Sequence, residues 1–315
     1  MEKSITLNKP LKPKLSKILK DDFRRNKVKY AMISVIVLYY ILFYYVPMYG
    51  TIIAFQDFVP RKGIMGSNWV GFKHFINFFN DLSFWKVLKN TLTLSFLDLC
   101  ICFPSAILFA LFLNEIRCRT FKKTVQTITY LPHFISLVVI CGMIKEFCGY
   151  NGLFNYIGSF FGAERVSMLQ QPNMFKWIFI FSKIWQELGW SSIIYLAAFS
   201  GINEELYEAA EIDGAGRIRQ TLVVTLPGIL PTVVIMLVLR IGQILGIGHE
   251  KVLLLYNPAT YEKADVIMSF VFRKGLEEFN WSYSTAVNMF NSIANFTFLI
   301  LANTASKKLT ESSLW

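Results

Sequence analysis

LYEAAEIDGAGRIRQTLVVTLPGILP runs from Leu206 to Pro231, between one long apolar stretch and the next. Its first half is acidic, with Glu204, Glu205, Glu208, Glu211 and Asp213 close together. Asn203 is a good N-cap, and Glu204 and Glu205 fill a first turn where the helix dipole favours acids. Leu206, Ala209 and Ala210 give a short face whose small residues permit close approach. Asp213-Gly214 breaks the helix, because glycine adopts left-handed conformations at little cost. A second helix is expected from Ala215 to Leu226, stopping at Pro227, with Pro231 inside the following apolar run. The stretch therefore reads as a compact helix–turn–helix knuckle between two hydrophobic segments.

What surrounds the knuckle fixes its setting. The chain has 315 residues, of which 54% are hydrophobic and only 17% charged. A soluble domain carries about a quarter charged residues, so these proportions indicate an integral membrane protein, and its long apolar runs give the expectation of an all-α one. The net charge of +11 could suggest nucleic acid, but ten of the cations lie between Lys3 and Lys29 and no nucleic-acid-binding module accompanies them. That arm reads as a positive-inside signal with affinity for anionic lipid. Leu11, Leu15, Ile18, Leu19 and Phe23 share a face within it, predicting an amphipathic helix along the cytoplasmic surface. The basic region is too long for a cleavable signal peptide, and the apolar run after it is long enough to span. Five scattered cysteines without histidine partners read as free thiols rather than a disulfide framework or metal site.

About six stretches approach the roughly 20 residues that a membrane helix requires. They are Ala31–Phe55, Leu88–Leu113, Val125–Phe147, Met174–Phe199, Ile229–Ile247 and Met289–Ala305. Lys183, Gln186 and Glu187 interrupt the fourth, and Pro132 lies in the third. The expected organisation is a basic arm at 1–30, a six-span body at 31–306 and a tail at 307–315. Both termini are expected to be cytoplasmic. Arg117, Arg119, Lys122 and Lys123 then fall inside, as do Lys307 and Lys308, and the bias of positive charge supports this orientation. It puts the knuckle, residues 203–228, in the cytoplasm. The long outer segments include YEKADVIMSFVFRKGL, read as an apolar helix at the outer membrane surface or beneath a docked protein.

E-A-A-x-x-D-G-A followed by L-P resembles the coupling loop of binding-protein-dependent ABC importer permeases. Glu208, Ala209, Ala210, Asp213, Gly214, Ala215, Leu226 and Pro227 match it position by position. Where that family often carries Phe before the L-P, this chain has Thr221, with Leu222 beside it. WVGFKHF (Trp69–Phe75), YLPHFIS (Tyr130–Ser136), LLLYNP (Leu253–Pro258) and the closing Leu314-Trp315 are similar to maltose-type carbohydrate permeases, in the branch serving complex oligosaccharides. The resemblance implies the type I ABC importer permease fold, with a cytoplasmic coupling helix between the fourth and fifth spans. It implies a second related permease, two cytoplasmic ATPase subunits and an extracellular binding protein that delivers an oligosaccharide. No G-x-x-x-x-G-K-[ST] loop occurs, so ATP and Mg would be bound by the partner ATPase, with no cofactor in this chain. The expected activity is transport without covalent chemistry.

Ionisable groups within a span cost at least ~2.5–3.5 kcal/mol each, so they usually face a bundle interior or an aqueous cavity. Lys183, Gln186 and Glu187 in the fourth span are pathway candidates, and Lys183 and Glu187, four apart, can neutralise one another. Trp185 and Trp190 could stack on sugar faces. Arg240 and Gln243 share a face of the fifth span, as do Asn288, Asn291 and Asn295 at the sixth. Interhelical glue is the competing role for each polar group, evenly matched for the Asn row. Asp98, alone in the second span, reads as a structural polar contact, and His133, after Pro132, as part of a helix kink. An ion-driven secondary transporter would need paired repeats and discontinuous spans, of which the sequence shows neither. A membrane sensor using the knuckle to bind a signalling protein is the other alternative.

Overall fold

The computed structural model describes residues 22–310 and 313–314. Most of the expected amphipathic helix between Leu11 and Phe23 lies outside the described residues, as does Trp315. The chain divides into two compact units, residues 1–52 and 53–315. The first holds most of α1, Lys27–Phe55, in which no residue of Lys27–Tyr40 is buried. Apolar side chains exposed all round suit a helix whose solvent is hydrocarbon.

In the second unit a two-residue antiparallel ladder, β1 (Gln56–Asp57) with β2 (Asn68–Trp69), adds a small exception to the all-α expectation. It precedes α2, Lys73–Asn80. Then come α3 (Phe84–Glu115), α4 (Arg119–Phe134), α5 (Leu137–Phe147), α6 (Leu153–Phe160) and α7 (Pro172–Phe199). The knuckle contributes α8, Glu204–Ile212, and is followed by α9 (Arg217–Ile241), α10 (His249–Leu255), α11 (Ile267–Phe272) and α12 (Trp281–Thr310).

Among the described residues four helices, α1, α3, α9 and α12, are long and apolar enough to cross a membrane. The third expected span is not one straight helix: α4 and α5 meet at 99°. Pro132 permits only a tight turn over Leu131–Phe134, and Ser136 restarts the helix by accepting from the Val139 N–H. The fourth expected span is a 28-residue helix, α7, which carries Lys176, Lys183 and Glu187 and is not among those four.

The expected stop at Pro227 does not occur. Instead α9 runs through it, with a widened π-turn over Thr221–Thr225 and the Leu226 N–H donating to the Thr221 carbonyl. The same device precedes Pro47, over Ile41–Tyr45, and Pro104, over Asp98–Cys102. Proline removes one donor and crowds the carbonyl four residues back, and a π-turn makes room for that carbonyl without breaking the helix.

Helix α7 is the central post of this unit. Ala106 and Ala110 of α3 pack with Tyr195 and Phe199 of α7 and Ile229 of α9. Gly189 lets α7 touch α4, since a Cβ there would lie 2.4 Å from the Thr129 carbonyl oxygen. Farther along α7, Phe175 and Phe179 join Ile140 and Cys141 of α5 and Val252 and Leu255 of α10. The expected surface helix at YEKADVIMSFVFRKGL is broken at Asp265, and its second half is core: Ile267 and Phe270 are buried with Phe78, Phe84 and Tyr283. At the break Asp265 is buried, accepting from Ser269 Oγ at 2.8 Å and Arg273 Nη2 at 2.6 Å.

Candidate functional site

The knuckle is built from local chemistry. Asn203 Oδ1 accepts from the Glu205 N–H at 3.1 Å, and Glu204 and Glu205 occupy the first turn of α8. The helix ends on Gly214 at φ +76°. Here the Gly214 N–H donates to the Glu211 carbonyl at 3.0 Å and the Ala215 N–H to the Ala210 carbonyl at 2.9 Å. This paired termination satisfies carbonyls that would otherwise be orphaned, and it requires a left-handed residue at position 214. A contact the sequence did not signal closes the knuckle: Tyr207 Oη and Thr225 Oγ1 are 2.9 Å apart, tying α8 to the π-turn of α9. The surface left outside is mixed: Ile212 is 87% and Ile218 81% exposed, with Leu222 and Val223 beside Ile218, among the exposed Glu204, Glu205, Glu211, Arg217 and Arg219. Glu208, Ala209, Asp213 and Pro227 are exposed as well, whereas Ala210, Ala215 and Leu226 are half-buried.

At the far end of α9 three helices converge on one carboxylate. Asp98, buried on α3, receives Arg240 Nε at 2.9 Å and Nη2 at 3.1 Å from α9, and Lys183 Nζ lies 2.8 Å away on α7. The expected Lys183–Glu187 pairing is therefore corrected, while Asp98, read as a structural polar contact, proves to be the centre of the cluster. A carboxylate deep among apolar side chains needs charge-assisted partners more than a helix-face neighbour does, so the cross-helix geometry wins. One carboxylate between two cations leaves a net charge of +1. The cluster borders a cavity of about 110 Å³ whose wall also includes Gln243 and Ser95, the latter donating from Oγ to the Ile244 carbonyl.

The remaining pathway candidates are dispersed. Gln186 faces Lys251, a buried lysine of α10 whose Nζ is 3.5 Å from Gln186 Oε1 and 5.7 Å from the Phe179 ring centre. Glu187 is half-buried and makes no ion pair among the described residues. Trp190 stacks on His133 at 4.3 Å with planes 5° apart, so one indole face is taken, and it shares a cavity with Arg240. Trp185 lies elsewhere, in an apolar groove with Met143 and Phe181. Asn295 acts between helices, its Oδ1 accepting the Leu245 N–H at 2.9 Å. Asn291 is buried with its Oδ1 unpartnered, and Asn288 is exposed. Asp98 had a sequence signal in its lone charge within a long apolar run, while Lys251 had none.

Comparison with known proteins bears on the same region. Residues 83–248, which include the knuckle and the ion cluster, match the family described as binding-protein-dependent transport system inner membrane component. Among curated proteins, the polygalacturonan/rhamnogalacturonan transport system permease protein YteP of Bacillus subtilis is 44% identical, over 92% of this chain and 91% of that protein. Protein LplB of the same organism is 37% identical, with 93% and 92% covered. Of solved structures, a chain of a bacterial ABC transporter involved in importing the acidic polysaccharide alginate superposes with a TM-score of 0.87. It is 41% identical, with 93% of this chain and 99% of that chain covered. The same transporter with its alginate pentasaccharide-bound periplasmic protein gives the same score at 40% identity.

Proposed function

We propose that this chain, which belongs to the binding-protein-dependent transport system inner membrane components and has the type I ABC importer permease fold, forms half of the membrane pathway of an ATP-driven oligosaccharide importer. A second related permease supplies the other half, and an extracellular binding protein delivers the cargo. Two cytoplasmic ATPase subunits bind ATP and Mg and hold the knuckle. Both termini and residues 203–228 are cytoplasmic. Oligosaccharide cargo is supported by the relatives, whose names and titles specify polygalacturonan/rhamnogalacturonan and alginate.

The observation that carries this reading is the continuity of α9 from Arg217 to Ile241. One end is fastened to the knuckle through Tyr207 and Thr225, and the other brings Arg240 to Asp98. The 23 residue-to-residue steps from Arg217 to Arg240 correspond to roughly 35 Å of helix. A rigid element of that length converts a small displacement at the ATPase into a displacement of the ion cluster, where α3, α7 and α9 part or close. Glu208, Ala209, Ala210, Asp213, Gly214, Ala215, Leu226 and Pro227 shape the end that engages the ATPase. Lys183, Gln186, Glu187, Trp190, Arg240 and Gln243 offer donors, acceptors and one ring to hydroxyls in transit. Trp185, Asn288, Asn291 and Asn295 are weaker pathway candidates, because their contacts serve packing or face away.

Co-purification with the partner permease and ATPase, followed by ATPase assays with a panel of loaded binding proteins, tests the proposal. A cognate loaded binding protein is expected to stimulate hydrolysis and ATP-dependent uptake together. Accumulation of cargo by the isolated chain in vesicles, without ATPase, would overturn it.

A further inference from the structure

A second concave site lies at the opposite end of the spans from the knuckle. Its cavity, of about 540 Å³, is walled by the first turns of α3 and α7 and by the turn at Tyr261–Ala264. Four ammonium groups border it: Lys86, Lys89, Lys176 and Lys263. Glu262 is the one acid in the wall, and none of the four lysines makes an ion pair with a carboxylate among the described residues. Asp265, just beyond, is already committed to Arg273 and Ser269. Like charges gathered in a concavity repel one another, and the field they focus attracts an anion.

The wall is also held in place. Asn90 donates to the Glu262 and Asp265 carbonyls at 2.9 and 3.1 Å, pinning the turn to α3, and Lys263 donates to Asn173 Oδ1, pinning it to α7. Trp85, 72% exposed, adds an aromatic surface beside the cations. Below the cavity on α7, Lys183 follows Lys176 by seven residues, two turns on the same face and roughly 10 Å deeper. The basic site thus stands above the ion cluster, itself carrying a surplus positive charge.

We infer that this site is an entry subsite for a carboxylate-bearing oligosaccharide, with Lys86, Lys89 and Lys176 receiving sugar carboxylates and Trp85 covering a pyranose face. The inference rests on the import reading above and deepens it from oligosaccharide to anionic oligosaccharide. Lysine suits the task because its mobile point charge can pass a carboxylate onward without fixing it in a bidentate fork. A phospholipid phosphate shares the attraction to ammonium, but the asparagine-pinned, three-sided cleft and the cationic step down α7 favour a saccharide chain.

The test uses the assembled importer in nanodiscs of zwitterionic lipid, without its binding protein, so that delivery does not set the outcome. Saturation-transfer NMR with trigalacturonate as probe is expected to show binding that weakens with salt, and little binding of its methyl ester. Replacing Lys86, Lys89 and Lys176 together by Gln should weaken trigalacturonate binding by about tenfold, since partly exposed charge pairs are individually small. The corresponding Arg triple variant should retain it. Equal binding by the Gln variant, or no difference between acid and ester, overturns the inference. So does a wild-type site that ignores trigalacturonate yet takes up phosphatidylglycerol in a lysine-dependent way, which would make it a headgroup site. Uptake measured in parallel separates the two readings: ATP-driven sugar uptake with no acid preference defeats only the entry subsite, whereas no ATP-driven uptake of any sugar defeats the import reading.

Discussion

Replacing Asp98 by Asn keeps the shape of the side chain and removes the charge on which α3, α7 and α9 converge. Lys183 Nζ at 2.8 Å and Arg240 Nε at 2.9 Å from its two oxygens would then face one another without a counter-ion. Through the carboxylate the two cations are roughly 6 Å apart, and at an effective dielectric of about 20 their repulsion is about 3 kcal/mol. Loss of the charge-assisted hydrogen bonds acts in the same direction, so the total should fall near the ~3–5 kcal/mol typical of breaking a buried pair from one side. Removing a second charge should recover much of this. The double variant Asp98→Asn with Lys183→Met keeps only Arg240, half-exposed towards the cavity. The assay is a double-mutant cycle on the purified importer, following the temperature at which fluorescence-detected size exclusion loses the intact complex. Asp98→Asn is expected to lower it clearly, Lys183→Met less, and the double variant no further than Asp98→Asn alone. Additive losses, or an Asp98→Asn complex that melts like wild type, would refute the cluster as the electrostatic junction of the three helices.

Arg240→Ala leaves Asp98 neutralised by Lys183, so assembly should survive while ATP-driven uptake falls by at least several-fold; failure to assemble would instead make Arg240 a purely structural tie. Gly214→Val puts a β-branched residue at φ +76°, which should distort the knuckle and leave ATP hydrolysis running with little uptake, and normal uptake would count against the coupling role. Pro227→Ala restores the missing donor and allows the π-turn at Thr221–Thr225 to relax to regular helix. One residue of register rotates the knuckle by about 100° relative to the span, so the ratio of uptake to hydrolysis should drop without loss of membrane insertion. An unchanged ratio would show that the π-turn has no part in transmission.

The parts of this protein that were legible in its sequence are those governed by neighbours along the chain. Long apolar runs imply hydrocarbon, whatever they later pack against. Asn203, Glu204, Glu205 and Gly214 specify a capped helix and its termination, and their hydrogen bonds all fall within a few residues. Continuation through Pro227 was less accessible: proline announces a missing donor, but the choice between stopping and widening depends on whether the next turn is stabilised by packing. Val224 and Thr225 are buried beside it, which favours continuation. The ion cluster lay further out of reach. Spacing alone favours Lys183 with Glu187, yet Asp98 binds Arg240 from 142 residues away because α3, α7 and α9 bury that carboxylate together. Local chemistry determined the membrane class and the knuckle; only tertiary structure decided which charges meet, since desolvating a carboxylate forces it to find cations wherever the fold brings them.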